Sequence, residues 1–285
     1  MYQHVLVATD GSDLATRAAE QGIATAEAAG ATVHVVSVLE ELEGEPSTDA
    51  ERERHREWVE QIESAAIDRG CDVVTSVPTG HPSRVILEYT GDNEIDLVVL
   101  GTHGRTGLQR WIMGSVASAV VREARCHVLT VNASVQAARE QFDDVLIATD
   151  GRPGVDQAVE AGLDLAESTG AAVHALYVVD DVHSRTNVVL ESFEATGERS
   201  TSVIAARAAE RGLATERTIR RGIPHEEIVA YADDQNIDLV VMGVESLSSL
   251  ERLVVGSVSQ RVVATAPAPV LTVRTLSDRG RSRSR

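Results

Sequence analysis

The chain has no lysine: all 26 of its basic residues are arginine, against 44 acidic residues and a formal net charge of −18. A field of that sign repels nucleic acid and anionic membranes unless a local patch reverses it, so neither is expected as a partner. Without lysine there is no Gly-x4-Gly-Lys-Ser/Thr loop, and a P-loop mechanism is excluded. Only two cysteines are present, Cys71 and Cys126, and neither has a CxxC or Cys/His spacing. That argues against a metal site and for structural thiols in a reducing compartment. No apolar run approaches the ~18 residues of a membrane helix, and no charged-then-apolar leader precedes the first apolar run. A soluble, cytoplasmic protein is expected. No Gly-x-Ser-x-Gly elbow or Ser/His/Asp set is evident, so an acyl-transfer enzyme is not expected.

The acidic, lysine-free composition resembles that of proteins from salt-loving archaea, where high salt screens the self-repulsion of the fold. Codon bias in a GC-rich genome also favours arginine over lysine, and the two causes can act together.

What is present is a repeat. Val5-Leu6-Val7-Ala8-Thr9-Asp10-Gly11-Ser12 recurs as Val145-Leu146-Ile147-Ala148-Thr149-Asp150-Gly151-Arg152, six of eight positions identical at an offset of 140. Ile95-Asp96-Leu97-Val98-Val99-Leu100-Gly101 recurs as Ile237-Asp238-Leu239-Val240-Val241-Met242-Gly243, offset by 142. Gly114-Ser115-Val116 matches Gly256-Ser257-Val258 at the same later offset. The copies span most of the chain, so a domain has been duplicated, with two residues inserted in the later copy. We expect domains at 1–134 and 141–275, a linker from Asn132 to Gln141, and a disordered arginine-rich tail at 276–285.

Each copy alternates short apolar runs with amphipathic stretches. In the first copy the runs are 4–9, 32–39, 72–77, 96–101 and 127–132, with helical patterns near 13–29, 50–69, 82–91 and 114–124. The second copy has runs at 144–149, 172–179, 214–219, 238–243 and 269–274. Continuous apolar strands separated by helices predict an α/β fold: two similar open five-stranded parallel sheets, Rossmann-like, in tandem. His34 and His174 recur inside apolar strands and are expected as satisfied core histidines.

The most informative segment follows the run Leu97–Leu100. It reads Gly101-Thr102-His103-Gly104-Arg105, continues to Gly114-Ser115, and has the form Gly-x2-Gly-x9-Gly-Ser between a strand and a helix. Glycines there let backbone N–H groups approach an anion, and a helix N-terminus favours phosphate. Ligands of an open parallel sheet bind beyond the carboxyl ends of its strands, where strand order reverses. Asp10, Val38 and Gly101 all fall at that edge. Asp10 would accept from an adenine amine or ribose hydroxyl, Val38 would give the base apolar contact, and Gly101–Gly104 with Gly114-Ser115 would donate to phosphates. The plain alternative for Asp10-Gly11-Ser12 is a helix N-cap turn. His103 could contact phosphate or simply sit exposed in its loop, and His81 lies near the same edge.

These residues resemble the universal stress protein family. The resemblance rests on Ala8-Thr9-Asp10-Gly11-Ser12, Leu97-Val98-Val99-Leu100-Gly101 and the loop Gly101-x2-Gly104-x9-Gly114-Ser115, and covers essentially 1–275. It implies an adenine-nucleotide-binding fold, with ATP as cofactor and often a divalent cation such as magnesium. Positions matching Ala8, Asp10 and Val38 would hold adenine and ribose; those matching Gly101, Gly104, Gly114, Ser115 and Val116 would hold ribose and phosphates. Family members pair through their last strands, so a tandem chain looks like a linked dimer, here through 127–132 and 269–274. Whether whole chains pair further into a homodimer is left open.

The second copy departs from the pattern. Ser246 stands where the second glycine is expected, and a Cβ there costs about 1 kcal/mol or more if the loop needs positive φ. Glu245 and Glu251 add negative charge where the first copy offers Arg105 and Arg110. Binding is therefore expected in the first copy, with the second weakened or structural. No paired carboxylates can be placed at the phosphate end, so the expected role is non-enzymatic: an ATP-binding stress or regulatory protein whose occupancy biases contacts with an unidentified protein partner. The alternatives are a scaffold of the same fold that binds no nucleotide, and a slow ATP hydrolase.

Overall fold

The computed structural model describes residues 2–40, 48–104, 113–152, 155–181, 187–245 and 257–275. The chain divides into two compact units, 1–140 and 141–285. The tail at 276–285 and residues Arg105, Arg110, Ser246 and Glu251 lie outside the described residues.

The N-terminal unit runs β1 (His4–Ala8), α1 (Asp13–Ala29), β2 (Thr32–Val36), α2 (Asp49–Asp68), β3 (Val73–Ser76), α3 (Pro82–Asp92), β4 (Leu97–Gly101), α4 (Ser115–Glu123) and β5 (His127–Val131). Its five strands are parallel in the order β3-β2-β1-β4-β5. The order reverses between β1 and β4, which leaves a crevice at their carboxyl ends. Val5, Leu6, Val7, Val98 and Val99 have no exposed surface, as central strands covered on both faces require. Helix starts follow local chemistry. Ser12 accepts from the Ala15 N–H at the start of α1, Thr48 and Glu51 form a reciprocal capping box on α2, and Pro82 opens α3.

The C-terminal unit repeats this with β6 (Asp144–Thr149), α5 (Asp156–Thr169), β7 (Ala172–Val179), α6 (Asn187–Glu210), β8 (Thr215–Arg221), α7 (Pro224–Asp234), β9 (Leu239–Glu245), α8 (Ser257–Thr265) and β10 (Val270–Thr275). Its parallel order is β8-β7-β6-β9-β10. The offset between the copies is 140 at the start of β7 and 142 at the start of β8, so the two inserted residues fall between these strands.

The repeated aspartate is a staple. Asp96 Oδ2 accepts from the N–H groups of Gln3 (2.8 Å) and His4 (3.0 Å). Asp238 Oδ2 does the same for Asp143 (2.9 Å) and Asp144 (3.1 Å). Both recurring histidines are buried and satisfied. His34 bonds Tyr89 Oη and His4 Nδ1, each at 3.1 Å. His174 bonds Tyr231 Oη and Asp144 Oδ1, each at 2.9 Å. The segment expected as a linker is fastened to α1 of its own unit: Arg17 donates to Val135 O, and Gln21 exchanges two hydrogen bonds with the Arg139 backbone. Both cysteines are unbridged, and burial raises the Cys126 thiol to about 11, so it stays protonated. Among the described residues no helix is long and apolar enough to cross a membrane.

Candidate functional site

A cavity of about 730 Å³ opens at the carboxyl ends of β1, β2 and β4 in the N-terminal unit. Its wall contains Ala8, Thr9 and Asp10 from the end of β1, Val38 beyond β2, Gly101 to Gly104 beyond β4, and Gly114, Ser115 and Val116 at the start of α4. Eleven of the fourteen residues singled out from sequence therefore converge on one cavity. Arg105 lies outside the described residues.

Gly11 and Ser12 are not part of that wall. The Ser12 side chain is committed to capping α1. Gly11, at φ +75°, donates its N–H to Thr9 Oγ1, and the place of its missing Cβ is filled by the Trp58 indole. The N-cap turn and the cavity-facing role thus coexist on adjacent residues. Asp10 Oδ1 accepts from both the N–H (3.1 Å) and the Oγ (2.7 Å) of Ser12, which fixes the carboxylate at the cavity edge.

The second glycine is required for a reason other than its backbone angle. Gly104 is not left-handed; a Cβ there would instead overlap Asp10 Oδ2. The expected penalty for a side chain at this position is steric, between two cavity-wall residues. Gly114 donates to Thr102 O at 2.7 Å and leaves α4 without a side-chain cap. The partial positive charge of that N-terminus faces the cavity. His103 Nδ1 pairs with Thr102 Oγ1 at 3.0 Å, and its buried Nε2 has no partner among the described residues.

Sequence reasoning missed the α2 side of the cavity. Glu51, Arg54, His55 and Trp58 all line it, at the i, i+3, i+4, i+7 spacing of one helical stripe. The stripe is polar and aromatic, so hydrophobic periodicity gives no signal for it. His55 Nδ1 lies 2.9 Å from Ser37 Oγ, and Ser37 Oγ donates to Thr9 O at 2.9 Å. Ser37 has one proton and spends it on Thr9, so His55 donates from Nδ1. Arg54 forms no hydrogen bond or ion pair among the described residues; its charge helps hold the Glu51 carboxyl below the usual range, after the Thr48 hydrogen bonds. His81 and Pro82, at the start of α3, complete the wall. No cluster of three or more metal-binding side chains exists among the described residues.

The equivalent corner of the C-terminal unit is built differently. Arg152 replaces Ser12 as the partner of the aspartate: its N–H lies 3.0 Å from Asp150 Oδ1 and its Nε 3.4 Å from Oδ2. Thr196 and Ser200, not a tryptophan, stand where a Cβ on Gly151 would fall.

An open parallel sheet with a polar, glycine-lined cavity at its switch point defines a Rossmann-like α/β protein. The chain belongs to the universal stress protein family, whose profile matches residues 1–132 and 141–274, two domains in tandem. A universal stress protein of Mycobacterium tuberculosis is 29% identical over 218 residues, covering 74% of this chain and 72% of that protein. The crystal structure of a universal stress protein from Archaeoglobus fulgidus superposes with a TM-score of 0.74 at 21% identity, covering 96% of this chain and 97% of that one. Another universal stress protein, solved in complex with cAMP, covers 46% of this chain and 97% of its own, at 23% identity and a TM-score of 0.40.

Proposed function

We propose that the N-terminal domain binds an adenine nucleotide, ATP foremost, and that occupancy of its cavity is what this protein contributes to a cytoplasmic stress or regulatory response. The observation that carries this reading is the convergence of Asp10, Val38, the Gly101–Gly104 turn and the uncapped α4 N-terminus on one cavity. Its apolar lining, with Val38, Leu39 and Ile86, suits a base. Its glycine side, with the α4 N-terminus, suits phosphates. A magnesium ion would arrive with the phosphates.

The role is binding without turnover. Phosphoryl transfer needs a positioned base or water and cationic stabilisation of the transition state. Asp10 Oδ1 already accepts two hydrogen bonds from Ser12, which hold the carboxylate in place. For the C-terminal domain a scaffold role is favoured, because Arg152 pairs with Asp150 at the corner where the first domain has Ser12. The test follows bound ATP and released phosphate together. ATP that is retained at equilibrium and recovered intact supports the reading. Multiple turnovers abolished by Gly114→Asp would replace it with a hydrolase.

A further inference from the structure

We propose that α2 supplies the base-selecting wall of this cavity, with the Trp58 indole as the surface against which a purine lies and His55 as its support. The inference rests on the nucleotide reading above and adds which part of the ligand is recognised, and by what.

Trp58 reaches the cavity wall because Gly11 gives it room: its ring occupies the space a Cβ at position 11 would take. His55 packs beside it with ring centroids 4.6 Å apart and planes inclined by 53°. His55 is itself pinned to buried Ser37, which is pinned to the β1 backbone at Thr9. Two aromatic rings are thus held in place on α2, against the Asp10–Gly11 corner of the cavity. Flat π-faces held in place are what a nucleobase stacks on, and stacking contributes nothing to the binding of a bare polyphosphate.

The C-terminal domain is an internal control. By the offsets of the repeat, Ser37, His55 and Trp58 correspond to Tyr177, Gly197 and Ser200. The exchange is concerted. Buried Tyr177 fills the place where a Cβ on Gly197 would stand, 2.7 Å from its ring, and Ser200 meets Gly151, the counterpart of the Gly11 that seats the tryptophan in the first domain. Large-on-strand with small-on-helix has replaced small-on-strand with large-on-helix. The fold keeps its packing volume while the second domain loses the wall.

The experiment is calorimetric titration of the full chain with Mg-ATP and, separately, with magnesium tripolyphosphate. The wild type is expected to bind ATP more tightly than tripolyphosphate. Trp58→Leu is expected to weaken ATP by roughly 5- to 100-fold without changing tripolyphosphate, and Trp58→Phe to restore most of the loss. Should Trp58→Leu fail to fold, the triple exchange Ser37→Tyr, His55→Gly and Trp58→Ser, copied from the second domain, is expected to show the same selective loss. Unchanged ATP affinity in these variants overturns the wall and leaves the nucleotide reading standing. Equal wild-type affinity for the two ligands also overturns the wall, leaving an anion site. A wild type that binds no ATP overturns the nucleotide reading and the wall together.

Discussion

Replacing Gly104 with serine, the residue the second copy carries at Ser246, should damage the site through Asp10. The added Cβ overlaps Asp10 Oδ2, while the Asp10 carboxyl carbon, 3.5 Å away, is at ordinary contact distance. Rotation of the carboxylate would therefore relieve the clash. Rotation is opposed because Oδ1 is held by the Ser12 N–H and hydroxyl. Losing one hydrogen bond to a charged acceptor costs about 1.5–3 kcal/mol, which corresponds to roughly a 10- to 100-fold loss if it falls on ligand affinity. A double-mutant cycle measures this directly, with Mg-ATP titrations of Gly104→Ser, Asp10→Ala and the pair. Once Asp10 is gone the serine meets nothing among the described residues, so Gly104→Ser should cost little in the Asp10→Ala background. Strictly additive losses would refute the argument and show that position 104 acts independently of the aspartate.

Three further outcomes follow from the same geometry. Gly11→Ala should displace Trp58 and strain a φ of +75°, lowering the melting temperature by the equivalent of about 1 kcal/mol or more and weakening ATP binding; a wild-type melting curve would contradict the seat described for the indole. Burial, and then the neighbouring His4, hold the His34 imidazole below its ordinary value. The fold therefore favours neutral His34 while the unfolded chain protonates near 6.5, so this group's stabilisation is present above about 6.5 and is lost as pH falls through the lowered value. His4→Asp, copying Asp144 of the second domain, should raise the His34 titration midpoint in NMR; an unchanged midpoint would show that His4 does not act on it. Arg211, just beyond the end of α6, bridges to Glu160, Asp164 and Glu167 of α5. Its partners are largely exposed, so Arg211→Met should cost only about 1 kcal/mol at low salt and less in molar KCl, read from thermal melts at both ionic strengths.

The fold was legible because buried parallel strands leave continuous apolar runs. The runs at 4–9, 32–39, 72–77, 96–101 and 127–132 coincide with β1 to β5 to within a few residues at their ends. The glycine side of the cavity was legible for a related reason: close backbone approach admits only glycine, and spacing is visible in one dimension. The α2 side was not. Trp58 meets Gly11 across 47 positions of sequence, and its stripe of Glu51, Arg54 and His55 reads as an ordinary solvated helix face. The reason for Gly104 was also hidden, because steric exclusion by Asp10 leaves no mark in the sequence that distinguishes it from a positive φ. Likewise the segment after Asn132 has the composition of a loop, and only the contacts of Arg17 and Gln21 show that it is tied down.

The central claim is a single nucleotide site in the N-terminal domain, and stoichiometry tests it most directly. The full chain is titrated with Mg-ATP in molar KCl, beside Gly114→Asp, whose carboxylate would sit at the N-terminus of α4 as a built-in anion. One ATP per chain, lost in the variant, is the predicted result. Two per chain would show that Arg152 and the altered corner of the second domain do not prevent binding, and none, with the protein folded, would contradict the account.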